Sequence, residues 1–138
     1  SLKFNKIICL DIGNDYLDIS GAKTEGTKLT IDKSHDKGLS IGENSNVYIK
    51  DLLIKNSMLG VAVKDGSIVY LENIESVNND YDLALFVKKE EYDNPNLEIK
   101  NFSKKNKKIL QSKNSKLIID NEIILGQQSN NYINSILY

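Results

Sequence analysis

Residues 41–49, IGENSNVYI, and residues 64–71, KDGSIVYL, carry the same turn followed by the same alternation, and the distance between their matching positions decides the fold. Val47 and Val69, Tyr48 and Tyr70, and Ile49 and Leu71 each stand 22 residues apart. Four triplets of the form apolar, small or polar, apolar keep that interval: Leu17-Asp18-Ile19, Leu39-Ser40-Ile41, Val61-Ala62-Val63 and Leu83-Ala84-Leu85. Gly38 and Gly60 precede the second and third triplets, and Ser34, Asn56 and Asn78 lie five residues before the triplets that follow them.

A fixed period of this size marks a solenoid, because one coil cannot bury its own apolar face and must stack on its neighbours. Period-two alternation between turns rich in Gly, Asn, Asp and Ser makes the coil a β one. Leu17, Leu39, Val61 and Leu83 are expected to stack inward in one column, and Ile19, Ile41, Val63 and Leu85 in the next. Asn56 and Asn78 suit left-handed corners and an amide ladder. Pro95 is the only proline, as expected where strand N–H groups are needed for the next coil. A leucine-rich repeat has a similar period, but its leucine spacing and helical half are missing. The reading is an all-β, right-handed, single-stranded parallel β-helix of 22-residue coils, about five to six of them.

The regularity changes after residue 86. FVKKEEYDNPN, residues 86–96, inserts a corner loop before alternation resumes at Leu97-Glu98-Ile99 and again at Leu117-Ile118-Ile119. Residues 1–120 are therefore read as coils, and residues 121–138, which end in Ile136, Leu137 and Tyr138, as a segment that caps the solenoid or contacts a partner.

Composition bounds the partners. With 138 residues, 40% of them hydrophobic, the chain is one domain with a continuous core. A net charge of −1 with both signs interspersed gives no footprint for nucleic acid, and SKKNKK at 103–108 reads as a solvated turn. No stretch approaches ~18 apolar residues and no leader pattern opens the sequence, so neither membrane insertion nor a secretion signal is expected. The single cysteine, Cys9, lies in an apolar run and reads as a small hydrophobe.

At GNDYLDISGA, HDKGLSIGENSNVYI, LGVAVKDGS and DLALFVKKEEYD the chain resembles the right-handed parallel β-helix domains of the pectate-lyase-like superfamily, most of all the Asp/Asn-cornered modules of large bacterial surface and exported proteins. The resemblance covers roughly residues 8 to 100. It implies an extracellular or cell-surface location. That superfamily hosts lyases, hydrolases, tail-spike fibres and inert spacers on one scaffold, so the likeness implies fold more than activity.

The chain contains no arginine, which departs from the arginine-based signatures of the commonest lyases and hydrolases of that superfamily. Lys64 remains a candidate base, since a buried or charge-crowded lysine can take a proton. His35 beside Asp36 is the other weak catalytic candidate; a lone turn histidine is ordinarily inert. Asp15, Asp18 and Asp36 recur near successive corners and are read as candidate calcium ligands, calcium being the one cofactor considered. The same carboxylates would equally satisfy turn N–H groups.

The outward column Asp18, Ser40, Ala62 and Ala84 would form a shallow trough, walled by the insertion with Lys64, Lys88 and Lys89. Such a trough serves either as a glycan groove or as a packing face. On the first reading Ser40, Lys64, Lys88, Lys89 and Tyr92 bind carbohydrate, with Tyr48 and Tyr70 as further edge residues. The functional expectation is a non-catalytic scaffold and recognition module for a polysaccharide or a neighbouring domain or subunit. The alternatives are a polysaccharide lyase or glycoside hydrolase, and a subunit of a larger assembly.

Overall fold

A computed structural model describes residues 1–11 and 17–138. The chain is a parallel β-solenoid of about five turns. Each turn contributes one strand to each of two sheets. The long-strand sheet runs β1 (Leu2–Leu10), β3 (Lys23–Asp32), β5 (Asn46–Lys55), β7 (Ile68–Val77), β9 (Asn96–Asn101), β11 (Lys116–Ile119) and β12 (Glu122–Ile124). The short-strand sheet runs β2 (Leu17–Ser20), β4 (Lys37–Gly42), β6 (Leu59–Lys64), β8 (Tyr81–Phe86) and β10 (Ile109–Gln111). All neighbours are parallel except β11 and β12.

The triplets stack as their spacing requires: Leu17 on Leu39, Leu39 on Val61, Val61 on Leu83, and Ile19 on Ile41, Val63 and Leu85 in turn. These side chains and the inward columns of the long sheet, such as Val47, Val69, Leu97 and Leu117, form one core between the sheets. Burial of apolar area along these columns is the main stabilising term, since a parallel ladder alone contributes little per residue. Leu97-Glu98-Ile99 and Leu117-Ile118-Ile119 continue the column of Val69-Tyr70-Leu71; the short-sheet triplets are continued by Ile109-Leu110-Gln111.

Corners are built from left-handed residues. Asp11, Lys33, Asn56 and Asn78 all have positive φ, and each of the first three donates its N–H to the end of the strand one coil on: Asp32, Lys55 and Val77 respectively. The Asn78 side-chain amide donates to Asn56 Oδ1 at 2.7 Å, and the Asn56 amide to Asp32 Oδ1 at 2.8 Å. Lys33, not Ser34, holds the position below Asn56. The physical reason is one extra residue in the 33–37 corner, which shifts the αL site by one while the strand register on either side is retained. Coil-to-coil approach is close at the third triplet: a Cβ on Gly60 would lie 2.7 Å from the Asp82 carbonyl oxygen.

Two insertions leave the stack. The first spans residues 87–95, between β8 and β9. The second, residues 102–108, is the solvated turn expected at 103–108, anchored from below: Phe102 is buried, and the fully buried Asp82 carboxylate accepts from the Lys104 ammonium at 2.9 and 3.2 Å, from the Lys108 N–H at 2.8 Å and from the Ser76 hydroxyl.

The last segment forms β12 and a helix, α1 (Asn130–Leu137). Ser129 caps the helix, its hydroxyl oxygen accepting from the Tyr132 N–H at 3.1 Å. Asn130 and Asn134, one turn apart, clamp Val87: Asn130 Oδ1 accepts the Val87 N–H at 2.8 Å and the Asn134 amide donates to the Val87 carbonyl at 3.1 Å. Ile133 and Leu137 then bury against Leu59, Ala62, Ala84, Phe86 and Leu110. The small-residue column is thus the seat of the chain's own helix.

Candidate functional site

The column Asp18, Ser40, Ala62 and Ala84 is in the expected register, but it does not present an open trough. Ala62 and Ala84 are fully covered and Ser40 is 1% exposed, its hydroxyl without a hydrogen-bond partner. Ser40 therefore lies out of reach of an extended ligand. An eight-residue helix lacking strand alternation supplied the cover, and small side chains let it approach.

What stays open is one corner beside that seat. Asp18, Ser20, Glu43, Lys64, Lys88 and Lys89 surround a cleft of about 130 Å³. Lys64 ends β6 on its outer face, one coil below Phe86, so the insertion that begins at Val87 delivers Lys88 and Lys89 to the same place. Asp65 fixes that delivery. It is buried at positive φ, and its Oδ1 accepts the N–H groups of Lys88 at 2.8 Å and Lys89 at 3.0 Å. The corner motif Lys64-Asp65-Gly66 therefore positions the next coil's cations through backbone hydrogen bonds.

Charges in the cleft are mixed. Burial, with the neighbouring Lys88 ammonium, holds the Lys64 ammonium below the usual lysine range. Glu43 stands at positive φ and pairs with Lys89; this hydrogen bond, helped by the Ser20 hydroxyl, holds the carboxyl below its ordinary range and raises that of Lys89. Both donors and acceptors line the opening, a combination suited to hydroxyl groups, which need both.

Lys37 borders this region from beneath. Its side chain is 2% exposed, its Nζ lies 3.1 Å from Asp36 Oδ1, and it sits 4.3 Å from the ring centroid of Tyr138. Lys88 approaches the same ring at 3.9 Å. Two cations on one aromatic ring fasten the end of α1 to the cleft wall.

Of the residues singled out from sequence, Lys64, Lys88, Lys89 and Asp18 meet in the cleft. Tyr92 lies in the turn above, its N–H donating to the Lys89 carbonyl at 3.1 Å. His35 is exposed on its corner, and Asp36 is engaged by Lys37. Asp15, the third member of the acidic trio, falls outside the described residues. Among the described residues no three His, Cys, Asp or Glu side chains group so as to hold a metal ion. Glu43, Asp65 and Lys37 were not anticipated. Asp65 was detectable, since an Asp-Gly corner calls for a side chain that satisfies turn N–H groups.

The opposite face of the solenoid carries ladders of another kind. Tyr48 and Tyr70 stack with centroids 5.7 Å apart and planes 8° from parallel. The Tyr48 hydroxyl donates to Glu72, which pushes its pKa up to about 12. Beside them Asp51, Asn73 and Asn101 form a second amide ladder with steps of 2.9 and 2.8 Å. Cys9 is half-buried on β1, and burial raises its thiol pKa. No helix among the described residues is long and apolar enough to cross a membrane. No family model, curated protein or solved structure matches the chain.

Proposed function

We propose that this chain is a non-catalytic recognition module, a rigid solenoid that holds carbohydrate in the corner cleft of Lys64, Lys88 and Lys89. One observation carries the reading: three ammonium groups and the carboxylates of Asp18 and Glu43 face one small opening, on a corner that Asp65 locks to the next coil. A sugar presents closely spaced hydroxyls, each both donor and acceptor, and such a rim can engage neighbouring hydroxyls in pairs. Preorganisation by stacked coils lowers the ordering cost that flexible loops incur on binding. Kinship with the pectate-lyase-like superfamily and an extracellular or cell-surface setting belong to this proposal, on the strength of the residues 8 to 100 resemblance.

A backbone amide NMR titration with a panel of neutral and acidic oligosaccharides tests it. Shifts confined to residues 18–20, 42–43, 64–65 and 88–89, weakened about tenfold or more in Lys64→Met, are expected. No shift across the panel, or shifts unaffected by Lys64→Met, would end the proposal. The enzymatic reading has one observation in its favour, the half-buried Lys64 with its lowered pKa beside Asp18. New ultraviolet-absorbing or reducing ends in the same incubations would replace the module by a lyase or a hydrolase.

A further inference from the structure

The long sheet presents two outer faces. It bends where Thr27, Lys50, Glu72 and Lys100 drop out of the pairing, and the stretch before the bend, residues 23–26 and their counterparts in later coils, makes one of them. Two outward columns cover it. Lys23, Asn46, Ile68, Asn96 and Lys116 form the first, and Glu25, Tyr48, Tyr70, Glu98 and Ile118 the second. Apolar groups gather towards the later coils. Ile68 is 54% exposed, and Ile123, opposite Ile118 in β12, and Leu125 just beyond it are each 75% exposed. A groove of about 200 Å³ runs between Ile68, Tyr70 and Ile118. Exposed apolar side chains gathered on one rigid face mark an interaction surface.

The charges on the face say what fits it. From β3 onward the charged residues of the first column are cations, Lys23 and Lys116, and those of the second are anions, Glu25 and Glu98. Lys3 lies under Glu25 at 4.0 Å, an exposed pair that leaves the carboxylate room for a second cation. The flanking corners are opposite too. Before the face, where Asp93 lies over Gly66, the insertion holds Glu90, Glu91 and Asp93, all exposed. After it stand Lys50 and Lys100, also exposed, and between them Glu72 is taken by the Tyr48 hydroxyl.

We propose that a second copy of this chain covers this face, across a two-fold axis that runs along the solenoid midway between the two columns. Such an axis sets each column against the other column of the second copy, and it allows no shift along the solenoid, so every coil meets its own counterpart. Lys23 then faces Glu25 of the second copy, Ile68 faces Tyr70, Asn96 faces Glu98 and Leu125 faces Ile123, each contact being made twice. Lys116 lies on Ile118 and one coil, about 4.8 Å, from Glu98. The acidic insertion meets the corner of Lys50 and Lys100. Strands of the two copies run antiparallel, in the aligned packing that face-to-face sheets adopt. An axis along the strands would set each column on itself and lose the pairing of cations with anions. Six strands of about four residues span roughly 29 by 13 Å, a small interface, so the dimer forms as concentration rises.

Sedimentation velocity over a concentration series on the intact chain tests the pairing. The unaltered chain shifts from monomer to dimer. Ile68→Lys, in the middle of the face, raises the dissociation constant about a hundredfold. Lys23→Glu sets a carboxylate against Glu25 in both contacts and raises it about tenfold, Glu25→Lys does the same with ammonium groups, and the double variant restores the unaltered constant. Val77→Gln, past the bend, leaves the dimer as it is. All four positions are exposed, so unchanged circular dichroism and melting separate a lost dimer from a lost fold. A monomer at every concentration, growth past two copies, an Ile68→Lys dimer as tight as the unaltered one, or a double variant as weak as either single one would overturn the proposal.

Discussion

Asp82→Asn is the most informative perturbation of the scaffold. The carboxylate is wholly buried and accepts the Lys108 N–H at 2.8 Å, the Lys104 ammonium at 2.9 and 3.2 Å, and the Ser76 hydroxyl. Asparagine keeps the shape but replaces one acceptor oxygen by a donor. If the amide nitrogen takes the Oδ2 place, the Lys108 N–H faces another donor; the reverse orientation sets the conflict at Ser76 and Lys104. One buried donor left unsatisfied costs about 1–3 kcal/mol. Loss of charge assistance adds about 1 kcal/mol, a small figure because Lys104 is 30% exposed and screened by water. The sum, about 2–4 kcal/mol, lowers Tm by roughly 6–15 °C in a domain of this size. Lys104→Met removes only the screened ammonium and costs about 1 kcal/mol, roughly 4 °C. Thermal melts followed by circular dichroism compare the two. Equal losses, or an Asp82→Asn variant melting within about 1 °C of the unaltered chain, would refute the argument that this carboxylate pins residues 102–108.

Three further outcomes are expected. A spectrophotometric titration should show one of the seven tyrosines ionising near pH 12, and Glu72→Gln should return it toward the ordinary range. Because the folded pKa of Tyr48 is raised, its contribution to stability is fully present below about pH 10 and is lost as pH rises toward 12; Tyr48→Phe should flatten that alkaline loss in melts taken across the range. Gly26→Ala places a Cβ 2.1 Å from the Phe4 ring, so it should destabilise by about 1–3 kcal/mol in urea unfolding and by much less in a Phe4→Ala background. Asn56→Ala should cost about 1–2 kcal/mol in the same assay, since alanine resists the αL corner and cannot bond Asp32 or Asn78, whereas Asn56→Gly should lose less.

The stacking was legible because a strict 22-residue interval leaves little freedom: once Leu39 lies on Val61, Tyr48 must lie on Tyr70 and Asn56 beneath Asn78. Where one residue is added and removed, as around Lys33, the count misplaced the corner by one. The site was partly legible. Lys64 and the insertion share a corner one coil apart, so their meeting followed from the period alone. The closure of the trough did not. It depends on Ile133 and Leu137, two apolar residues four apart in a short, asparagine-rich segment whose helical character rests on a Ser129 cap and on docking at Val87. The anchoring of the exposed turn at 103–108 was equally hidden, since nothing in a lysine-rich loop shows that the buried carboxylate of Asp82 lies beneath it. Glu43 escaped notice because its role depends on a left-handed corner bringing it to Lys89, a pairing 46 residues apart.

The central claim is the vertical stacking of successive turns, and methyl NOE spectroscopy on selectively labelled Leu, Ile and Val tests it most directly. The structure predicts strong contacts of Leu39 with Val61, Val61 with Leu83, Ile41 with Val63 and Val63 with Leu85. A spectrum in which these four pairs are silent while residues on the same coil report other neighbours would contradict it.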